Sequence, residues 1–419
     1  MSENASIKSY KLLSRDLESK VMLFDLAADG HHPIYIRHIV EYWRNEGLKG
    51  QLYVVVTPEF QEKHADIVSL ADSSTNFVAI SPQESEQLAK SNRNIRRAFV
   101  EWEIYCRYAL RLKASYGILM YLDILQLPIV LASKSPCLFT GIYFRPTFHY
   151  QYFEGYQPTL KDTLRGWRQK ILLSLVLSNQ RLLGITSLDP YSVPYIQKLS
   201  PKNKFIKHLP DPIRPATTHT SEIQSLREKL RIERKRKVFL LFGYMEPRKG
   251  THKVLEAISM IPKEDTQEIC LLIAGQTSQK YRLVLEQLTS KVKSLCPIQI
   301  ITRYEFIDEE IIHIYFKASD YVLIPYQNHV GMSGILLHAA LAEKPVLAPK
   351  YGLVGKIVRD YQLGEIVDTK STLAIAGKLK ELSQLDHPEM MNAQKARKFV
   401  ESHDYTYFSQ TLLQEGVKQ

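Results

Sequence analysis

Short apolar runs separated by longer amphipathic stretches set the rhythm of this chain. Val21-Met22-Leu23-Phe24-Asp25-Leu26 has the character of a buried strand, and Asp29-Gly30-His31-His32-Pro33 then opens a helix, with proline suited to its first turn. Ile36, Ile39, Val40 and Trp43 recur at helical spacing. Leu52 to Val56 and Phe77 to Ile80 read as the second and third strands. Ser85 to Lys113 reads as one long amphipathic helix with Leu88, Ile95, Phe99, Trp102 and Tyr105 among its apolar positions. Tyr116 to Leu122, Cys137 to Thr140 and Leu182 to Thr186 follow as strands, and Asp189-Pro190 begins a short helix. A second series runs through Val238 to Phe242, Ile269 to Ala274, Ile298 to Ile301, Tyr321 to Ile324 and Pro345 to Ala348. Strand and helix in alternation predict an α/β protein with parallel sheets.

The two series are separated by Leu209-Pro210-Asp211-Pro212-Ile213-Arg214-Pro215, where closely spaced prolines exclude a helix interior and a central strand. A length of 419 residues fits two domains. The expected boundaries are residues 1–210, 211–400 and a terminal stretch 401–419, with small ligands binding in a cleft between the halves.

Composition changes this picture little. A formal charge of +11 favours anionic partners or solubility. Cys106, Cys137, Cys270 and Cys296 form no CxxC pair and read as reduced, buried thiols. Met1 to Ser14 lacks the apolar core of a signal peptide, and the longest strongly apolar run, Ile171 to Leu177, is far shorter than a membrane span. A cytoplasmic protein is expected, soluble or peripheral at the inner membrane surface. Seven basic residues lie between Arg227 and Lys237, but without interleaved aromatics or a known module they read as a solvated face, and no nucleic acid is expected. Lys161, Arg165, Arg168 and Lys170 beside Leu164, Trp167, Ile171, Leu172, Leu175 and Val176 admit two readings. One is an amphipathic helix on an anionic membrane. The other, preferred here, is a helix packed on the first sheet with a basic outer face.

The candidate chemistry lies at strand ends. Phe239-Leu240-Leu241-Phe242-Gly243 runs into Tyr244-Met245-Glu246-Pro247-Arg248-Lys249-Gly250, an apolar strand followed by a glycine turn and a basic pair. Ile324-Pro325 precedes Gly331-Met332-Ser333-Gly334 and an apolar helix. Cations and helix-start amides at two strand ends suit a diphosphate. These segments resemble the donor half of retaining GT-B glycosyltransferases of family 4, as do Leu271-Leu272-Ile273-Ala274-Gly275, Phe306-Ile307-Asp308-Glu309-Glu310 and Leu337-His338-Ala339-Ala340-Leu341-Ala342-Glu343-Lys344-Pro345. The likeness is good from about Leu226 to Asp368 and faint before it. It implies two Rossmann-like domains facing a cleft, nucleotide sugar on the second and acceptor on the first, with the helix around Tyr405 to Gln414 crossing back to the first.

The resemblance also implies a hexosyltransferase-like enzyme that moves sugar from a nucleotide-diphosphate sugar to a hydroxyl acceptor, with retention. No cofactor or metal is expected, because cations and backbone amides serve the leaving diphosphate. Lys249 and Arg248 are the candidate cations, with a solvated turn as the plain alternative. Gly243, Gly331, Met332, Ser333 and Gly334 would approach the phosphates or sugar, and Phe306 and Ile307 the base. Tyr244 stands where the family has arginine. The family's two glutamates, seven residues apart, fall on His329 or Val330 and on His338, so His329 would face the donor sugar and His338 the ribose. A core histidine is the alternative for His338. Gly30, His31 and His32 sit at a strand end, where they would position the acceptor or the leaving phosphate, or remain a solvent-facing pair. Arg145, in a segment ending at His149, would meet phosphate or an acidic acceptor, or serve structure. Two other activities fit the same outline: a non-catalytic binder of nucleotide or glycan, and a sugar-nucleotide epimerase.

Overall fold

The computed structural model describes residues 19–91, 94–156, 158–215, 217–385 and 390–414. They divide into two compact units. One takes the chain up to His149, Pro158–Pro212 and from Asp404 onward; the other takes Tyr150–Gln157 and Ile213–His403.

The first unit is built on a seven-stranded parallel sheet in the order β3-β2-β1-β4-β5-β6-β7. Its strands are β1 (Lys20–Phe24), β2 (Gln51–Val56), β3 (Thr75–Ala79), β4 (Tyr116–Leu119), β5 (Leu138–Tyr143), β6 (Leu182–Ser187) and β7 (Phe205–His208). Leu23 pairs with Val54 on one side and Ile118 on the other. Successive side chains of a strand point to opposite faces, and both faces here are covered. Met22 and Phe24 therefore enter one core, and Val21 and Leu23 the other. The helices used below are α1 (His32–Asn45), α2 (Pro82–Lys90), α3 (Asn94–Leu112), α4 (Leu122–Leu131) and α5 (Leu160–Leu177).

The second unit has a six-stranded parallel sheet, β10-β9-β8-β11-β12-β13. Its strands are β8 (Lys237–Phe242), β9 (Ile269–Ala274), β10 (Gln299–Arg303), β11 (Tyr321–Leu323), β12 (Val346–Pro349) and β13 (Gly364–Val367). All six side chains of β9 are buried, as expected of an interior parallel strand. Three helices matter below: α6 (Thr251–Ile258), α7 (Glu309–Lys317) and α8 (Gly334–Leu341). The terminal helix α9 (Tyr405–Gln414) belongs to the first unit, where Phe408 packs on Tyr35 with ring centroids 4.8 Å apart. The four cysteines are free and buried.

Three expectations need correction. The span from Ser85 to Lys113 is not one helix: α2 ends at Lys90, capped at its start by a reciprocal Ser81–Glu84 box, and α3 begins at Asn94. The strand expected over Tyr116 to Leu122 stops at Leu119, because Leu122 already starts α4. That helix is apolar nearly all round and carries Pro128, so it has no amphipathic period to read. Strands β7 and β13, four residues each, were not anticipated.

Candidate functional site

In each unit the strand order reverses next to its first strand, and ligands of parallel sheets bind at the carboxyl ends of the strands flanking such a reversal. In the second unit these strands are β8 and β11. The loop after β8 carries Gly243, Arg248 and Lys249; the loop after β11 carries Tyr326, His329 and Gly331 to Ser333.

The two loops are stitched together. Gln327 donates its backbone amide to the Arg248 carbonyl at 2.8 Å. Gly250 is left-handed, with φ of 72°, and a Cβ added there would lie 2.0 Å from the Pro325 carbonyl oxygen. Only glycine permits that turn and that approach. Lys249 consequently meets Tyr326: its Nζ donates to the phenol oxygen at 2.6 Å, and that oxygen lies 2.9 Å from Ser333 Oγ. Tyr326 and Ser333 are buried, whereas Lys249 is half-buried. A cation is thus held by an otherwise buried hydroxyl pair, with its remaining N–H donors available. Ser333 precedes α8 without capping it by its side chain, which is engaged with Tyr326 instead.

Arg248 is less free than Lys249. Its guanidinium makes bonds of 2.6 and 3.0 Å to Glu246 and donates to His329 Nδ1 at 3.2 Å. His329 then donates from Nε2 to the Met332 carbonyl at 3.1 Å, so its two neighbours fix one neutral tautomer. Val330 is buried. His338, one turn into α8, lies beside Phe316 and His313 of α7. It is not a satisfied core histidine: its Nδ1 is buried with no hydrogen-bond partner among the described residues. Burial, with His313 nearby, lowers its pKa to about 4 and keeps it neutral. On the loop between β10 and α7, Phe306 is exposed and Ile307 is buried. Gly331 and Gly334 do not have positive φ, so neither is required for backbone reasons.

In the first unit the reversal lies between β1 and β4. Asp25, just past β1, is buried and accepts from the Ala27 amide at 3.0 Å; its other oxygen lies 2.7 Å from His32 Nδ1. Gly30 turns left-handed before the pair. The rings of His31 and His32 stack 4.5 Å apart, and His31 also meets Tyr35 and Phe144. His31 as a whole is exposed, yet its ring is packed among these neighbours, and that packing, with His32 and Arg145, lowers its pKa to about 3. For His32, burial also opposes charge, but the Asp25 hydrogen bond and charge outweigh it and the pKa rises. The two adjacent imidazoles are therefore shifted in opposite directions, His31 down and His32 up, a pattern that suits proton handling.

Arg145 is exposed on a loop that sequence alone did not show to be anchored. Asp123, in the first turn of α4, accepts the Phe144 and Arg145 amides at 2.8 and 2.9 Å. Burial raises the Asp123 pKa to about 6 against those bonds. From α5, Gln169 donates to the Arg145 carbonyl at 2.8 Å and accepts from Thr147 Oγ1 and the Phe148 amide. His149, the histidine at the end of this segment, is buried between the Pro146 carbonyl at 2.5 Å and the Asp189 carboxylate at 2.9 Å, which makes it structural. Asp25, Asp123, Tyr326 and Gln169 were all missed, because none lies in a recognisable local motif.

The Asp25–His32 pair predicts a pH dependence. A folded pKa above the ordinary histidine value means stability that is complete below about pH 6.5 and lost as pH rises through the raised value. The melting-temperature difference between wild type and Asp25→Asn should be largest in mildly acidic buffer and shrink toward alkaline pH. A difference that grows toward alkaline pH would contradict the pairing.

Among the described residues, no group of three His, Cys, Asp or Glu side chains is arranged to hold a metal ion. No helix among them is long and apolar enough to cross a membrane. Residues 222–399 match the family model for glycosyl transferases group 1. No curated protein matches the chain. Solved structures do. A glycosyltransferase from Rickettsia africae is 12% identical over 96% of this chain and 99% of its own, with a TM-score of 0.66. Anabaena HepE, solved with UDP and glucose, is 14% identical over 94% and 98%, with a TM-score of 0.63. A sucrose-phosphate synthase from Thermosynechococcus elongatus is 15% identical over 94% and 96%, also at 0.63. At these identities the structures establish the fold, and the family match covers the unit that holds Lys249. The chain has the GT-B fold, residues 222–399 of its second unit match the glycosyl transferases group 1 model, and together these support a glycosyltransferase.

Proposed function

We propose that the protein transfers a hexosyl group from a nucleoside-diphosphate sugar to a hydroxyl acceptor, with retained anomeric configuration and without metal. The observation that carries this reading is Lys249, held by Tyr326 at the strand-order reversal of the group 1 domain. As the bond from sugar to diphosphate breaks, negative charge grows on the leaving oxygen, and a fixed ammonium stabilises that change more than it stabilises the ground state. Arg248 shares the diphosphate once Glu246 releases it, and the first-turn amides of α8 add donors. His329 faces the sugar, neutral His338 offers its unpartnered nitrogen to a ribose hydroxyl, and Phe306 with Ile307 flanks the base. In the first unit, neutral His31 accepts a hydrogen bond from the acceptor hydroxyl, His32 is held beside it by Asp25, and Arg145 supplies positive charge. HepE was crystallised with UDP and with UDP-glucose, so UDP-glucose is the first donor to assay.

One observation favours a second reading, a binder of nucleotide or glycan without turnover: His329 or Val330 and His338 stand where the family has glutamates. The experiment that separates the two is transfer from UDP-, GDP- and ADP-sugars to a panel of glycan and lipid-linked acceptors in excess EDTA. Glycosylated product with no loss in EDTA is the expected result. Activity restored only by Mg²⁺ or Mn²⁺ would overturn the metal-free mechanism. Nucleotide binding with no product from any donor would favour the binder, and interconversion of the free sugar nucleotide would favour an epimerase.

A further inference from the structure

For α5, the expected helix packed on the first unit with a basic outer face is borne out in its packing, through Leu173, Val176 and Leu177, but its outer face is not simply basic. The outer face is apolar: Leu160, Leu164, Trp167, Ile171 and Leu175 are 93, 71, 66, 46 and 50% exposed. At about 100° per residue these five fall within an arc of roughly 80°. The opposite side of the helix is the one that packs: Leu173, Val176 and Leu177 are fully buried in the core of the first unit. The helix therefore has two apolar faces, and among the described residues only one has a partner. Leu131, at the end of neighbouring α4, adds a further exposed apolar side chain.

Charge decides what covers this face. Lys161, Arg165 and Arg168 run along one flank of the stripe and Lys170 lies on the other. The helix holds a single acid, Asp162, and its carboxylate is spent in the capping box with Thr159. Apolar side chains facing outward, with long cationic ones on both flanks, match the layered chemistry of an anionic bilayer surface. Lys and Arg stems lie along the apolar zone while their charges reach the headgroups. We propose that α5 docks the protein on anionic membrane lipid, with the Leu160-to-Leu175 stripe in the acyl boundary and the four cations at the headgroups. This inference goes beyond the transferase reading and stands without it.

The test uses the full chain with vesicles of phosphatidylcholine alone and of phosphatidylcholine with phosphatidylglycerol. Binding is expected to the anionic vesicles, weakening as salt rises because exposed charges are screened over about 8 Å at physiological ionic strength. Trp43 and Trp102 are buried, so a blue shift of tryptophan emission on binding would report Trp167. Arg165→Glu with Arg168→Glu, and separately Leu164→Gln with Trp167→Gln, should each weaken partition by about tenfold or more. All four side chains are exposed, and circular dichroism will verify that the variants fold. No partition into either vesicle would overturn the proposal, as would partition that ignores lipid charge and both double variants. A concentration-dependent dimer in sedimentation, abolished by Leu164→Gln with Trp167→Gln, would assign the stripe to a second copy instead.

Discussion

Lys249→Ala is expected to lower turnover by about 10²–10³, the typical cost of removing one preorganised donor from developing charge, or roughly 2.7–4 kcal/mol. The size follows from how the lysine is held. Its backbone lies between a buried strand and left-handed Gly250, and its ammonium is located by Tyr326, itself bonded to Ser333. Arg248 cannot take over its work unaided, because Glu246 already occupies that guanidinium. The loss should appear in kcat as well as in kcat/KM, since the contact strengthens along the reaction. Lys249→Arg should recover activity only in part, because a planar fork does not reproduce a point charge at the same place. Steady-state kinetics with a circular dichroism control measure this. A folded Lys249→Ala protein with near-normal turnover would remove the lysine from the mechanism and shift weight to the non-catalytic reading.

Gly250→Ala should be the most damaging single methyl group in the site. The residue has φ of 72°, and its new Cβ would meet the Pro325 carbonyl at 2.0 Å and Gln327 Nε2 at 3.1 Å. Left-handed strain costs about 1–2 kcal/mol and forced overpacking about 1–3. Together these predict a fall in melting temperature of roughly 5–15 °C for a unit of this size. Activity should fall further than stability alone requires, because separating the loops breaks the Lys249–Tyr326 contact. Gly334→Ala is the control: a Cβ there meets nothing within 4 Å, so the melting temperature should barely move. Equal melting temperatures for Gly250→Ala and wild type would show that the two loops are not locked as described.

The parts of this molecule that a sequence displays are those set by local chemistry. Strand β9 was read to the residue, because its six consecutive apolar residues, flanked by Glu268 and Gly275, have the length of a buried strand and fall short of an ordinary helix. The turn around Gly243, Lys249 and Gly250 was legible for the same reason: a strand that ends in glycine and a basic pair carries its own signature. Helix α4 was not, since an apolar helix with an internal proline resembles a strand followed by a loop. What holds the site residues was least legible. Tyr326 is 77 positions from Lys249, and Gln169 is 24 from the Arg145 carbonyl it grips. His32 and Asp25 are only seven apart, but their pairing depends on how the chain turns at Gly30. The α5 stripe shows a different failure. Its periodicity was visible, but periodicity reports that a face is apolar and does not report which of two apolar faces the fold will cover.

The division of the chain into units also sets an order of events during synthesis. Phe408, Leu412 and Leu413 of α9 belong to the same core as Val21, Leu23 and Tyr35. The second unit, apart from Tyr150–Gln157, is a continuous stretch that ends at His403. A chain emerging from the ribosome thus has all the residues of the second unit before it can close the core of the first, whose opening strand leaves the ribosome almost four hundred residues earlier. Until α9 arrives, the part of this core that Phe408, Leu412 and Leu413 fill lacks its partners, so the earliest-made unit is the last to be finished.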